Sequence, residues 1–274
     1  MATCNGKESW LLQTLSQPLS LSAHCKLESV DNQQTHAVYR LSDGARHFAV
    51  KLIQSINLSM NSREEQFALQ QILANKGIAP QPLFLDQEKG IWVEQWSELP
   101  YWAHKHPVEH VLALALTRIH STTIDQCVPT LDLKAEWLHY IDLANLRNNS
   151  KVMHTFNALQ PLLNCHADRA YSVLCHHDLS MAHVATDEAG AILDWEYGAI
   201  GNRYFDIAAA VSANALSRQQ QIVVAQKYAK LNGLSGQYVL KMIADFEPAV
   251  YFTSRLWEAA RNELLGSLQS TLPL

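Results

Sequence analysis

At 274 residues, with 48% hydrophobic and 17% charged side chains, the chain can bury a sizeable core near the size at which one core divides in two, and nothing favours disorder. A net charge of -5 lacks the basic footprint of wholesale nucleic-acid binding, and apolar runs such as Ile207 to Val211 are far too short to span a bilayer. The five cysteines (Cys4, Cys25, Cys127, Cys165, Cys175) are scattered without a CxxC pair, and Lys7 and Glu8 precede the first apolar pair, so a cytoplasmic protein with reduced thiols and no signal peptide is expected.

Up to about Trp96 the pattern is of strands with one helix. Val38 to Leu41 and Phe48 to Ile53 are short apolar or alternating runs parted by the turn residues Ser42, Asp43 and Gly44. Ser62 opens a helix with apolar positions Phe67, Ala68, Ile72 and Leu73, and Gly77 closes it. A strand pair follows, turning at Glu88, Lys89 and Gly90. Beyond Trp96 helices dominate. Val108, Val111, Leu112, Ala115, Leu116 and Ile119 keep the helical repeat behind Pro107, and 206–216, 218–231 and 237–265 read as further helices, with Asn232 and Gly233 as a break. One β-rich island lies at 171–194. The layout is α+β. Residues 1–96 form a small β-rich lobe and 97–274 a larger helical lobe, the outline of a two-lobed kinase-like fold.

The island concentrates the chemistry. Val173 to Cys175 reads as a strand ending in the polar run His176, His177, Asp178. Val184 to Thr186 and Ala191 to Leu193 flank the turn residues Asp187 to Gly190. Pairing this hairpin about its turn sets His183 opposite Asp194, with Asp178 feeding the same end, so the three should converge from separate segments. Phosphoryl transfer needs such a place: one carboxylate to hold an acceptor hydroxyl, another to hold Mg²⁺, a hard cation that prefers oxygen.

The run His176-x-Asp178, then Asp194-Trp195-Glu196 and then Asp206, resembles the aminoglycoside phosphotransferase and choline kinase family, whose pattern is H-x-D-x-x-x-x-N, I-D-W-E and a further Asp opening a helix. The strong match covers about 171–210, with weaker matches over roughly 35–120 and the final helices. The resemblance implies a protein-kinase-like fold and an ATP- and Mg²⁺-dependent phosphotransferase. It implies Asp178 as catalytic base or hydroxyl-orienting residue, Asp194 as principal Mg²⁺ ligand, His176 as a brace of the loop and Asp206 as a structural aspartate. On spacing alone Asp206 reads equally as a helix N-cap. The family's Asn falls on His183, so the second metal contact is either this imidazole or absent, and a degenerate kinase-like binding protein is an alternative.

In the small lobe, alternation places Phe48, Val50 and Leu52 on one strand face and Ala49, Lys51 and Ile53 on the other. The strand is similar to the V-A-I-K strand of protein kinases, which implies Lys51 on the nucleotide phosphates and Ala49 over the adenine; an edge-strand lysine reaching solvent is the plainer reading. By the same resemblance Glu65, with Glu64 as runner-up, pairs with Lys51. Against this, Ser62 to Glu65 also spells a capping box. The segment 30–36 stands where a glycine-rich phosphate loop would, but has no glycine. Asn32, Gln33 and Thr35 could donate from side chains instead. Glu94, Gln95 and Trp96 look like the hinge, meeting adenine through the backbone.

On the acceptor side, Glu196 with Trp195, Tyr197 and Trp257 would suit a small cationic alcohol of the choline, ethanolamine or thiamine kind. An aminoglycoside-type acceptor is the alternative. A Zn²⁺ hydrolase built on His176, His177, Asp178 and His183 is a third reading, disfavoured because neighbouring ligands on one short loop rarely close a tetrahedral site. The partner expected is a small molecule, with neither nucleic acid nor membrane.

Overall fold

The computed structural model describes residues 6–30, 37–53, 57–98, 106–165, 168–185 and 190–271. They fall into two compact units, one comprising Met1–Ser55, Gln70–Glu98 and Ala185–Leu193, the other Ile56–Leu69, Leu99–Val184 and Asp194–Leu274.

The first unit is built on an antiparallel sheet of five strands: β1 (Lys26–Val30), β2 (Ala37–Asp43), β3 (Arg46–Leu52), β4 (Pro82–Asp86) and β5 (Ile91–Gln95), in the order β1-β2-β3-β5-β4. Period-two alternation sends Tyr39, Leu41, Phe48, Val50, Ile91 and Val93 to one face, where they bury against Leu11 and Leu15 of helix α1 (Gly6–Ser16). The opposite face carries Ala49 and Lys51 of β3 in register with Glu94 and Trp92 of β5. Helix α2 (Arg63–Asn75) ends as its sequence signals: Gly77 takes φ +74, and the Ile78 amide returns to the Leu73 carbonyl at 3.0 Å. Segments 184–185 and 190–193 meet through the Ala185 amide and Ala191 carbonyl, 2.8 Å apart; the turn at 186–189 lies outside the described residues.

The second unit is helical: α3 (Val108–His120), α4 (Leu133–Leu143), α5 (Ser150–Cys165), α6 (Arg203–Ala213), α7 (Arg218–Asn232) and α8 (Gly236–Thr271). Beside them runs a two-stranded antiparallel ribbon of β6 (Ser172–Cys175) and β7 (Ala199–Asn202). Trp137, Tyr228, Phe246 and the Ile207 to Val211 run of α6 fill the core. Gly233 caps α7 in the left-handed conformation, at φ 65, where the Asn-Gly break was expected.

Two elements were not foreseen and the bounds of two helices are corrected. Helix α1 and its buried leucines were not foreseen. Strand β6 pairs with β7, which had not been expected as a strand. The helix read as 206–216 begins three residues earlier, at Arg203, because Asn202 supplies the cap, accepting from the Tyr204 amide at 2.9 Å. The last helix extends to Thr271 rather than 265. Among the described residues no helix is long and apolar enough to cross a membrane.

Candidate active site

The loop leaving β6 is organised by Asp206. Standing in the first turn of α6 and fully buried, this carboxylate accepts from the backbone amides of His176 (3.2 Å) and His177 (2.6 Å) and from His120 Nε2 (2.9 Å). A carboxylate only accepts, so Nε2 of His120 carries the hydrogen, and its Nδ1 takes the hydroxyl of Tyr228 at 2.7 Å. Burial pushes Asp206 up, but the His120 hydrogen bond and the neighbouring histidines outweigh it and hold the carboxyl at about 2. Asp206 is therefore a brace and not a helix cap. His120, Cys175 and Asp206 are also the one group of potential metal ligands among the described residues whose atoms lie within 4.8 Å of one another. Hydrogen bonds to protein already account for its carboxylate and imidazole.

Held from below, the loop makes a tight bend. His177 takes φ 65, and its Nδ1 donates to the Tyr197 carbonyl at 2.9 Å. Its ring passes directly over Gly201 of β7, where a Cβ would collide with Nε2. The bend sends Asp178 out of the ribbon, half-buried, with its amide toward His176 Nδ1 at 3.3 Å. Asn214, just past α6, pins the following residues: its Nδ2 donates to the Leu179 carbonyl at 3.0 Å and its Oδ1 accepts from the Met181 amide at 2.9 Å. No sequence signal marked Asn214; its role is visible only once α6 is folded against the loop.

His183 ends a single 3-10 turn, Met181–His183. Its Nδ1 donates to the Asp178 carbonyl at 2.8 Å, which leaves Nε2 turned toward Asp194, 3.7 Å from Oδ2. Its ring stacks on that of His176, with centroids 5.6 Å apart. Asp194 itself adopts φ 65, a conformation that costs a non-glycine residue of order 1–3 kcal/mol and recurs at functional sites. His183, on the same loop as Asp178, and Asp194, from a separate segment, are thus neighbours.

The neighbourhood is electrostatically frustrated. Burial raises Asp178 above the usual carboxylate range; His183 opposes this, while Asp194 and Asp206 add to it. Glu196 is raised by burial and then by Asp194, against Arg63, whose guanidinium lies 3.3 Å from the carboxylate. Asp178 and Glu196, each raised by burial and by the neighbouring Asp194 in a half-buried space, make with it a donor set suited to a hard divalent cation. His183 fits as well: an imidazole that donates one ring nitrogen to a carbonyl presents the other as a ligand. The zinc reading fares worse, because His177 is committed to Tyr197 and packed on Gly201.

Of the residues expected on the acceptor side, Glu196 is paired with Arg63, a partner not anticipated from the sequence. The Tyr197 hydroxyl accepts from Trp257 Nε1 at 2.7 Å, joining the β6–β7 ribbon to α8. Trp195 is only 2% exposed and lies against His176, so it lines the core rather than a ligand surface. Nearby, the Tyr140 hydroxyl donates to buried Glu136 at 2.5 Å.

In the first unit, Lys51 Nζ lies 3.1 Å from Glu94 Oε1. The Glu94 side chain, expected to be silent, is buried and also accepts from Gln70 Nε2 at 2.9 Å and Trp92 Nε1 at 2.8 Å. The Gln95 amide bonds the Gln81 carbonyl and the Trp96 amide the His47 carbonyl, and the Trp96 ring stacks under Arg40. Ala49 lies across the strand pair from Glu94. In the second unit, Glu65 closes the capping box, taking the Ser62 amide at 2.7 Å while its own amide reaches Ser62 Oγ at 3.2 Å. Asn32 and Thr35 lie outside the described residues.

The phosphotransferase enzyme family matches residues 26–242. Choline kinase LicA from Streptococcus pneumoniae is a similar solved structure: TM-score 0.72, 18% identity, covering 95% of this chain and 92% of that one. An ethanolamine kinase from Plasmodium vivax gives 0.69 at 17% identity, covering 98% and 90%, and a type I macrolide 2'-phosphotransferase 0.62 at 16%, covering 100% and 99%. At these identities the likeness establishes the kinase-like fold. Compared by sequence with curated proteins, the chain matches none.

Proposed function

The chain belongs to the phosphotransferase enzyme family, and we propose that it transfers the γ-phosphate of ATP to a hydroxyl of a small, cationic molecule of the choline, ethanolamine or thiamine kind. The observation that carries this reading is the arrangement of Asp178 and His183 on a loop braced by Asp206, with Asp194 beside His183. In it Asp178 accepts the hydrogen of the acceptor hydroxyl and orients its oxygen. Its raised affinity for a proton suits that task, because a group that takes up a proton in the transition state must hold it briefly. Asp194, with His183 Nε2 beside it, would hold Mg²⁺. When bound, the ion neutralises charge on the transferring phosphoryl group. Lys51 contacts the nucleotide phosphates and Ala49 packs on the adenine.

The cationic acceptor is supported by two carboxyl groups close to Tyr140, buried Glu136, which accepts from its hydroxyl, and half-buried Glu196. A carboxyl group held partly out of bulk water favours a cationic ligand over a neutral alcohol.

ATP consumption should be measured across choline, ethanolamine, thiamine, amino sugars and aminoglycosides. Turnover confined to the first three, and lost in Asp178→Ala and Asp194→Ala with the fold intact, is expected. Turnover only with aminoglycosides moves the acceptor class. No turnover, together with no thermal stabilisation by Mg-ATP, leaves a non-catalytic binding protein.

A further inference from the structure

The carboxylate that fixes the phosphate-binding lysine stands on strand β5, not on helix α2: we propose that Glu94, held by Gln70 and Trp92, is the positioning residue for Lys51. This rests on the reading of Lys51 as a nucleotide ligand.

The two oxygens of Glu94 are used differently. Oε2 accepts from Gln70 Nε2 and Trp92 Nε1, two neutral donors on side chains that are themselves 2% and 6% exposed. Oε1 faces Lys51 Nζ. Gln70 is fixed in turn, since its Nε2 also reaches the Pro80 carbonyl at 3.0 Å. The carboxylate therefore cannot rotate away without breaking two buried hydrogen bonds, and its remaining oxygen is aimed before any ligand arrives. In the strand register Lys51 lies opposite Trp92 and Ala49 opposite Glu94, so all four project from the same face of the β3–β5 pair.

Burying a carboxylate to this degree is costly unless a cation answers it. Lys51 is that cation, and the cost of losing the pair holds its flexible four-carbon stem in place. An ammonium has three hydrogens, so a bond to Glu94 is compatible with contact to phosphate oxygens. The helix carboxylate that family spacing offers for this task, Glu65, is occupied at the N-terminus of α2 with the Ser62 amide. Helix α2 instead supplies Gln70, which steadies the carboxylate from the side.

The test is steady-state kinetics with varied Mg-ATP, alongside thermal-shift titration with Mg-ATP. Glu94→Gln keeps shape and loses charge; it should raise KM for Mg-ATP about tenfold while changing kcat less. In a Lys51→Met background the same change should cost nothing further, because a positioning residue acts only through what it positions. The exchange Gln70→Glu with Glu94→Gln returns a carboxylate to the same network and should recover most of the lost affinity. If Glu94→Gln does not fold, Trp92→Phe removes one of the two fixing donors and should still raise KM about threefold. A KM within twofold of wild type in Glu94→Gln, or in Trp92→Phe where Glu94→Gln does not fold, or equal losses with and without Lys51, overturns the inference while leaving a nucleotide-dependent enzyme intact. A wild-type chain that gains no stability from Mg-ATP overturns the nucleotide reading and this inference together.

Discussion

The loop around Asp178 and the strand pair around Lys51 carry the two halves of one expected chemistry, and their residues relate to sequence in different ways. On the loop, each motif letter sits on backbone whose shape it helps to set. His176 and His177 hang from Asp206, His183 closes back on the Asp178 carbonyl, and Asp194 occupies a left-handed turn position. Spacing and placement cannot drift apart there. On the strand pair, the lysine is where alternation puts it, but its carboxylate comes from a different element than the motif spacing offers. A buried charge needs an opposite charge nearby and is indifferent to which element supplies it. Tight turns therefore preserve identity by position, while packed ion pairs preserve only chemistry.

The largest effect that would break this contrast is on turnover. Asp194→Ala and Asp178→Ala should each lower kcat by about 10³-fold, since on the proposed reading each removes a group acting on the reacting atoms. Their midpoints of unfolding should stay within a few degrees of wild type, because both side chains are only half-buried. A tenfold loss or less in either would remove that residue from the chemistry.

Next comes the brace. Asp206→Ala strands two backbone amides and the His120–Tyr228 pair in the core, and should cost about 3 kcal/mol in chemical denaturation. A cost below about 1 kcal/mol would mean the loop is held by other groups.

The same residue gives a pH signature. Its folded value near 2 lies below the ordinary 3.8, so between these the unfolded chain binds the extra proton and stability rises with pH. The contribution, about 2 kcal/mol, is complete above about pH 4 and disappears as acid approaches pH 2. Subtracting the acid limb of Asp206→Asn from that of wild type isolates it, and coincident limbs would contradict the assignment.

Two smaller effects sharpen the comparison. His183→Asn exchanges a nitrogen ligand for an amide oxygen and should shift the Mg²⁺ to Mn²⁺ activity ratio toward Mg²⁺ by a few-fold, about 1 kcal/mol or less. An unchanged ratio would take His183 off the metal. Glu65→Gln weakens only the capping box and should cost under about 1 kcal/mol of stability, with KM for nucleotide within twofold of wild type. A tenfold rise in that KM would return the lysine's partner to α2.

Much of this was legible beforehand. Alternation gave the faces of β3, punctuation gave the bounds of α2 and α7, and the hairpin argument brought His183 to Asp194. What escaped was written in weak local signals. Lys26 to Val30 barely alternates, and Ala199 to Asn202 is four residues with a glycine inside, so β7 had no strand signature. The start of α6 was misread because Asp206 and Asn202 are both competent caps, and only the fold shows which amide each one meets. The roles of Arg63, Gln70 and Asn214 depend on partners 24 to 133 residues away, and no periodicity reports those.

The crossing of His177 over Gly201 has a corollary for variation. A methyl group at position 201 has nowhere to go while an imidazole covers it, and the imidazole cannot lift without letting go of the Tyr197 carbonyl. The two positions should therefore vary only as a couple. A saturation library at 201 should return glycine alone, whereas the same library made on a His177→Ser parent should admit alanine and serine, tying the permitted alphabet at one site to the bulk of its neighbour.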